Sequence, residues 1–448
     1  MRLRGTAALA LVAALALAAP ALAQPAKSAT AAEIDARAKA IEPKLIAWRR
    51  DIHEHPELGD MEVRTSKLIA DHLRSLGIEV RTGVAGTGLV GILKGGRPGP
   101  VVALRSEMDA LPVKEEVNLP FASKATAVYR GKETPVMHAC GHDAHMAILM
   151  ATAEILAAMK AKLPGTVVFL LQPAEEGPAD FIPDGTKFWG AKQMVTEGAL
   201  TQPKVDAVFG LHVFSGVPTG KVVWRTGPFL ASADILRIQV KGKQTHGAAP
   251  WQGVDPIVLA SQVVLGLQTI ESRQVEVTKE PSVITIGQIH GGNRENIIPD
   301  LVDMEGTIRS YDAGMQQDIQ ARIKRTAEKI AESGGGSAKV EIVELYHPTV
   351  NDAALTKRMG PTLQRAAGPG NWDDNADKRT AAEDFSFFQE KVPGLFVNLG
   401  VTPPDQDMKT AAANHSPLFY VDEKALVVGV RVMANLAVDY LEGGAVKR

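Results

Sequence analysis

Nine residues, Met137–His145 (MHACGHDAH), hold three of the eleven histidines of this 448-residue chain, its one cysteine, an aspartate and a glycine. A thiol and an imidazole two residues apart, Cys140 and His142, suit a zinc-like or manganese-like ion, since both are soft to borderline donors. Four further stretches carry comparable chemistry. Glu175 and Glu176 are adjacent after a strand-like run, and neighbouring side chains on an extended backbone point in different directions. One glutamate can therefore bind metal while the other faces the water that attacks. His212 stands near the end of VDAVFGLHV, and Asp109 closes Ser106-Glu107-Met108-Asp109 directly after another apolar run. His415 lies in the loop Asn414-His415-Ser416-Pro417. His53 and His55 read as parts of a helix end and turn, not as ligands.

The elements around these residues follow from apolar pattern. Val101–Leu104, Thr166–Gln172, Val205–Val213 and Leu395–Leu399 are continuous apolar runs, as strands buried on both faces require. Open α/β sheets hold ligands at the C-terminal edge of such strands, where the polar clusters begin. Ala32–Glu54, interrupted by Pro43, Ala147–Met159 and Lys424–Leu441 predict helices. From Gly227 the character changes. Ile235–Val240, Val283–Ile289, Val302–Arg309 and Lys339–Leu345 tend to alternate, and Pro256–Ser272 and Met315–Glu332 have helical periodicity between them. This β-α-β-β-α-β order predicts a small α+β domain over 227–345, inserted into a larger one formed by 24–226 and 346–448. The expected fold class is α/β: two domains, a central mixed sheet flanked by helices, and an inserted α+β lid. Within the lid, His246, Asn296 and Arg309 are polar positions whose local pattern also fits turns or surface.

Composition narrows the function. Forty-nine basic and fifty-one acidic residues leave no excess charge to draw nucleic acid or an acidic membrane. Arg2 and Arg4, the apolar run Ala7–Ala19 and Ala21-Leu22-Ala23 predict a secretory signal peptide over 1–23, too short to span a bilayer. The mature chain is thus expected to be periplasmic or secreted, free of the membrane once the signal is removed. A single cysteine permits no internal disulfide, and a free exported thiol invites oxidation. Capture by a metal explains its presence; burial as a small apolar residue is the alternative.

Taken in order, WRRDIHEHPEL (Trp48–Leu58), MHACGHD, the Glu175-Glu176 pair, GLHV (Gly210–Val213) and NHSP (Asn414–Pro417) resemble one family. It is that of the metal-dependent amidohydrolases, which includes aminoacylases, hippurate hydrolases and indole-acetyl-amino-acid hydrolases. These are relatives of the zinc carboxypeptidases and dipeptidases that carry an inserted lid. The resemblance covers nearly the whole mature chain and implies two divalent ions per subunit, zinc, manganese or cobalt. It implies Cys140, His142, Glu176, His212 and His415 as metal ligands and Glu175 as general base, with Asp109 orienting a ligand. It further implies His246 as an oxyanion donor reaching a neighbouring subunit's site, Asn296 and Arg309 as binders of a substrate carboxylate, and a homodimer through the lid. Two positions depart from the pattern: Glu107 stands where an aspartate is expected, and Gln244-Thr245 where the approach to the lid histidine is glycine-rich.

The expected activity is hydrolysis of the amide bond of N-acyl amino acids. A metallo-dipeptidase or carboxypeptidase acting on short peptides is the first alternative. A catalytically silent metal-containing binding protein needs ligands alone, so the presence of both Glu175 and Glu176 argues against it. A nucleophilic cysteine hydrolase built on Cys140 predicts activity that chelators spare.

Overall fold

The computed structural model describes residues 29–443, so the predicted signal peptide lies outside the described residues. An eight-stranded mixed sheet carries the main body. Its principal strands are β1 (Glu79–Val84), β2 (Gly88–Lys94), β3 (Arg97–Glu107), β4 (Pro164–Gln172), β5 (Ala207–Pro218) and β6 (Gly394–Thr402). They run in the order β1-β2-β4-β3-β5-β6, followed by the short pieces Val222–Val223 and Trp372–Asp373. β3 is parallel to both β4 and β5, and β6 is parallel to β5, whereas β2 is antiparallel to its neighbours.

The apolar runs are buried for the reason their pattern suggests: both faces of the sheet are covered. One face packs against α1 (Ala29–Glu54), α2 (His142–Ala158) and the helices Ala353–Ala367 and Leu426–Gly443. The other packs against the short helices Gly190–Thr196 and Ser386–Gln389, with Phe385, Phe388 and Phe396 between. α1 continues through Pro43. Gly429 lets the C-terminal helix approach α2, because a Cβ there would meet Ile148 Cδ1 at 2.5 Å.

α2 begins earlier than the apolar run predicted. Gly141, at φ +95°, turns the chain, and His142, Asp143 and His145 already belong to the helix. Burying polar residues in a first turn is costly unless each finds a partner. Asp143 accepts from Arg49 Nε at 2.7 Å and pairs with His53 Nδ1 at 2.8 Å, while Glu107 and the Val213 amide hold His145. His53 is therefore a buried structural partner on α1.

The strands do not stay together to their ends. β3 and β5 pair only from Val102↔Ala207 to Arg105↔Gly210. β3 continues beside β4 to Glu107↔Gln172, and β5 continues beside β6 past Val213↔Leu399. The gap that opens is the crevice at the C-terminal strand edge where α/β sheets bind ligands.

The inserted segment has its own sheet, in the order Ser282–Gly291, Leu301–Ser310, Ala233–Lys241, Ser337–Tyr346, all antiparallel. Helices Pro256–Arg273 and Ala313–Ser333 cover one face with Val263, Leu267, Ile319 and Ile323. Their starts are capped by Asp255 and Asp312, whose carboxylates accept the Ile257 and Met315 amides. The order and periodicity match the β-α-β-β-α-β expectation. Ser232 and Ser310 clasp the entry, with Ser232 N donating to Ser310 O at 2.6 Å and Ser310 N to Ser232 Oγ at 3.0 Å. Among the described residues no helix is long and apolar enough to cross a membrane.

Candidate metal centre

Five donor-bearing side chains converge on the crevice. Cys140 precedes the left-handed Gly141, and His142 opens α2. His142 Nδ1 donates to the Asp109 carbonyl at 2.8 Å, with Asp109 Oδ1 at 3.2 Å. Its Nε2 is buried and has no protein hydrogen-bond partner. His212 on β5 donates through Nδ1 to the Val213 carbonyl at 2.7 Å, which leaves Nε2 facing Cys140 Sγ at 3.3 Å. His415, at φ +72° in its loop, places Nε2 3.3 Å from the same sulfur and 2.8 Å from Glu176 Oε1. In each histidine Nε2 is thus the atom turned to the centre.

Backbone contacts hold this set. Asp109 Oδ2 accepts the Glu176 amide at 2.8 Å, so one carboxylate braces both His142 and the turn that carries Glu176. Ala174 takes φ +48°, which bends the chain after β4 and presents Glu175 and Glu176 in different directions. Asn414 Nδ2 donates to the Cys140 and Val213 carbonyls at 2.9 and 3.2 Å, tying the His415 loop to the segments that carry Cys140 and His212.

Electrostatics ask for positive charge. Burial pushes the Cys140 thiol well above its usual range, and Glu176 and Glu175 push it further. Burial disfavours a charged His142, yet Asp109, Glu107 and Glu176 outweigh it and raise this imidazole to about 10. Burial keeps His212 well below its ordinary value and therefore neutral, the form of imidazole that can bind a metal. Burial, then Glu383, Glu176 and Asp384, push the Glu175 carboxyl well up, against the pull of Arg105. A thiol, three imidazoles and a carboxylate around a buried, unpartnered nitrogen fit divalent ions with N, S and O preferences. The thiol sulfur of Cys140, an imidazole nitrogen of His142 and a carboxylate oxygen of Glu176 lie within 4.8 Å of one another, and so do a Glu107 oxygen and imidazole nitrogens of His142, His145 and His212.

A cavity of about 500 Å³ opens over the centre. Cys140, Glu175, Glu176, His212 and His415 form its floor side, and Arg309 reaches it from the inserted domain. Phe214, Leu230, Leu345 and Phe396 supply apolar wall. Tyr346, at the end of the last lid strand, donates its hydroxyl to the Glu175 carbonyl. His246 and Asn296 are elsewhere. His246 ends one strand of a two-stranded ribbon, Thr245–His246 with Ile297–Ile298, and Asn296 directly precedes the other; both are exposed, and Gly247 N donates to Asn296 O at 2.8 Å. Neither lines the cavity of its own chain.

Several participants escaped the sequence reading. Glu383 lines the cavity, and Glu175, Glu383 and Asp384 bring carboxylate oxygens within 4.8 Å of one another. Arg105, fully buried on β3, donates to Gln172 at 2.8 Å, Glu383 at 2.6 Å and Asp384 at 2.9 Å, and also to Glu107. Glu107, in place of the expected aspartate, spans from Arg105 to His145 Nδ1 at 2.9 Å. The adjacent Glu383-Asp384 pair was the one usable signal, since two neighbouring acids before Phe385 repeat the pattern of Glu175-Glu176.

Known proteins with the same architecture place the chain. The model of peptidase family M20/M25/M40 matches residues 103–439. An Arabidopsis thaliana protein named IAA-amino acid hydrolase ILR1-like 2 is 39% identical over 90% of this chain and 88% of its own. A Saccharolobus solfataricus protein named thermostable carboxypeptidase 1 is 39% identical over 89% of this chain and 96% of its own. The crystal structure of a Bacillus subtilis protein described as a dinuclear metal binding peptidase of family M20 superposes with a TM-score of 0.74 at 35% identity, covering 90% of this chain and 99% of that one. The chain belongs to peptidase family M20/M25/M40 and is a metal-dependent amidohydrolase.

Proposed function

We propose that the protein hydrolyses the amide bond of N-acyl amino acids in a two-metal site held by Cys140, His142, Glu176, His212 and His415. The buried, unpartnered Nε2 of His142, facing the same crevice as two other Nε2 atoms and the thiol, carries this reading. When bound, two divalent ions there supply positive charge to the scissile carbonyl oxygen and make a water easier to deprotonate. Glu175 takes the proton of the attacking water and hands it to the leaving nitrogen, and its buried setting gives it the basicity to do so. Arg309 meets the carboxylate of the amino acid through a planar fork, and the walls at Phe214, Leu230 and Phe396 suit an apolar acyl group. Asp109 keeps His142 in the tautomer that presents Nε2.

Neither His246 nor Asn296 lines the cavity of its own chain, so in this reading a second subunit's lid delivers them, His246 to the oxyanion and Asn296 to the substrate carboxylate. The pattern of residues 1–23 supports export to the periplasm or medium. A carboxypeptidase or dipeptidase reading is the alternative, favoured by the carboxypeptidase relative.

The test is turnover of N-acetyl, N-benzoyl and indole-acetyl amino acids against dipeptides, before and after chelation, with metal content read by mass spectrometry. About two ions per chain and chelator-sensitive acyl-amino-acid turnover support the proposal. Faster dipeptide turnover selects the peptidase. Activity that survives complete metal removal overturns the site.

A further inference from the structure

His145 ends the motif that began the sequence reading, yet it is no ligand in the site described above. Both of its ring nitrogens are committed. The Val213 amide donates to Nε2 at 2.8 Å, and an amide N–H can only donate, so Nε2 carries no hydrogen. The hydrogen is therefore on Nδ1, which donates to Glu107 Oε2 at 2.9 Å. Glu107 is in turn held by Arg105, whose guanidinium is anchored on Gln172, Glu383 and Asp384. The ring is 2% exposed and cannot turn without breaking both bonds.

The position of that ring answers a gap in the sheet. β5 loses its pairing with β3 after Gly210, while its other edge stays paired with β6 through His212 and Val213. On the side β3 has left, the Val213 amide would have no strand partner. His145 Nε2 supplies the missing acceptor. The Val213 carbonyl, one peptide on, is the atom that receives His212 Nδ1–H at 2.7 Å. A backbone pinned at the Val213 amide thus fixes the carbonyl that orients the His212 ring, and with it the direction of Nε2 toward Cys140 Sγ.

We propose that His145, fixed by Glu107 and Arg105, is the positioning residue for His212: it substitutes for the absent β3 hydrogen bond and so sets one metal-binding imidazole. The proposal rests on His212 being a ligand, as in the function proposed above. It predicts that one ion is lost more easily than the other when His145 is changed. Partners that orient ligands from behind are worth about 10- to 100-fold in metal affinity.

The experiment uses the full-length holoenzyme and its His145→Leu and His145→Gln variants. Zinc affinities are read by competition with a chromophoric chelator, ions per chain by mass spectrometry, and ligand geometry by the visible spectrum after cobalt substitution. For His145→Leu the expected result is about a 10- to 100-fold weaker affinity for one of two ions and an altered cobalt band, with the other ion held as in the wild type. Glutamine can still accept the Val213 amide, so His145→Gln should recover most of that affinity. The second variant also keeps the test alive if the leucine variant does not fold. Two ions bound with wild-type affinities and an unchanged cobalt spectrum in a folded leucine variant overturn the inference alone. Equal weakening of both ions, or a glutamine variant as impaired as leucine, also overturns it, since that is the mark of general loosening. A wild type that takes up no ion overturns the ligand reading and this inference together.

Discussion

Replacing Glu175 by glutamine removes a charge and keeps the shape, and it should move activity and metal-free stability in opposite directions. Carboxylate oxygens of Glu175, Glu383 and Asp384 lie within 4.8 Å of one another. At that spacing and an effective dielectric near 20, two carboxylate charges repel by about 3.5 kcal/mol. Arg105 offsets part of the repulsion, which leaves relief of about 1–3 kcal/mol for the variant. The pH dependence has a definite sign. Burial and the neighbouring acids raise the folded-state carboxyl of Glu175, while the unfolded chain ionises it at about 4.3. A raised carboxyl leaves stability intact below the unfolded value and subtracts from it as pH climbs toward the folded one. Metal-free Glu175→Gln should therefore match the wild type at about pH 4 and exceed it by roughly 1–4 °C in Tm at about pH 8. Loaded with metal, it should keep its ions and lose about 100- to 10,000-fold in kcat. Calorimetry of the chelated proteins across this pH range, beside turnover of the loaded ones, reads both effects. A variant less stable than wild type at about pH 8, or one that keeps more than about a tenth of kcat, would refute the reasoning.

Three other perturbations probe separate parts of the structure. Arg309→Met should raise KM about 10- to 100-fold for a carboxylate substrate and leave its methyl ester nearly unaffected, since a charge-assisted contact is worth about 1.5–3 kcal/mol; equal KM changes for acid and ester would count against a carboxylate contact. Arg49→Met leaves Asp143 buried without its guanidinium partner, so unfolding free energy should fall by about 3–5 kcal/mol in urea melts, and an unchanged midpoint would show the pair to be dispensable. If His246 acts across subunits, mixing inactive Glu175→Gln and His246→Ala chains should restore about a quarter of wild-type activity, one intact site in half of the dimers; unmixed and mixed samples of equal activity would place His246 outside catalysis in trans.

What could be read from the chain, and what could not, divides by the range of the interactions. Most of the candidate ligands and their order are legible in sequence because all but His415, which lies in a loop, sit at the end of a locally recognisable strand or helix. Cys140 and His142 share one turn, and Glu175 and Glu176 follow one apolar run, so short-range pattern suffices to nominate them. The buried strands and the lid's alternation were legible for the same reason. The start of α2 was not: His142, Asp143 and His145 look like loop residues until Arg49, His53, Glu107 and the Val213 amide are in place. Arg105 is the extreme case. In sequence it is a lone basic residue at a strand end, as fit for solvent as for anything else. Its partners Glu383 and Asp384 are 278 and 279 residues away, and only folding brings them to one guanidinium. Burying a cation there is unfavourable unless several acids surround it, and burying those acids is unfavourable without the cation. Each makes the other tolerable, so none can be recognised alone. Glu107, standing where the resemblance leads one to expect an aspartate, joins this set by touching both Arg105 and His145, and the resulting chain of contacts ends on the backbone beside His212.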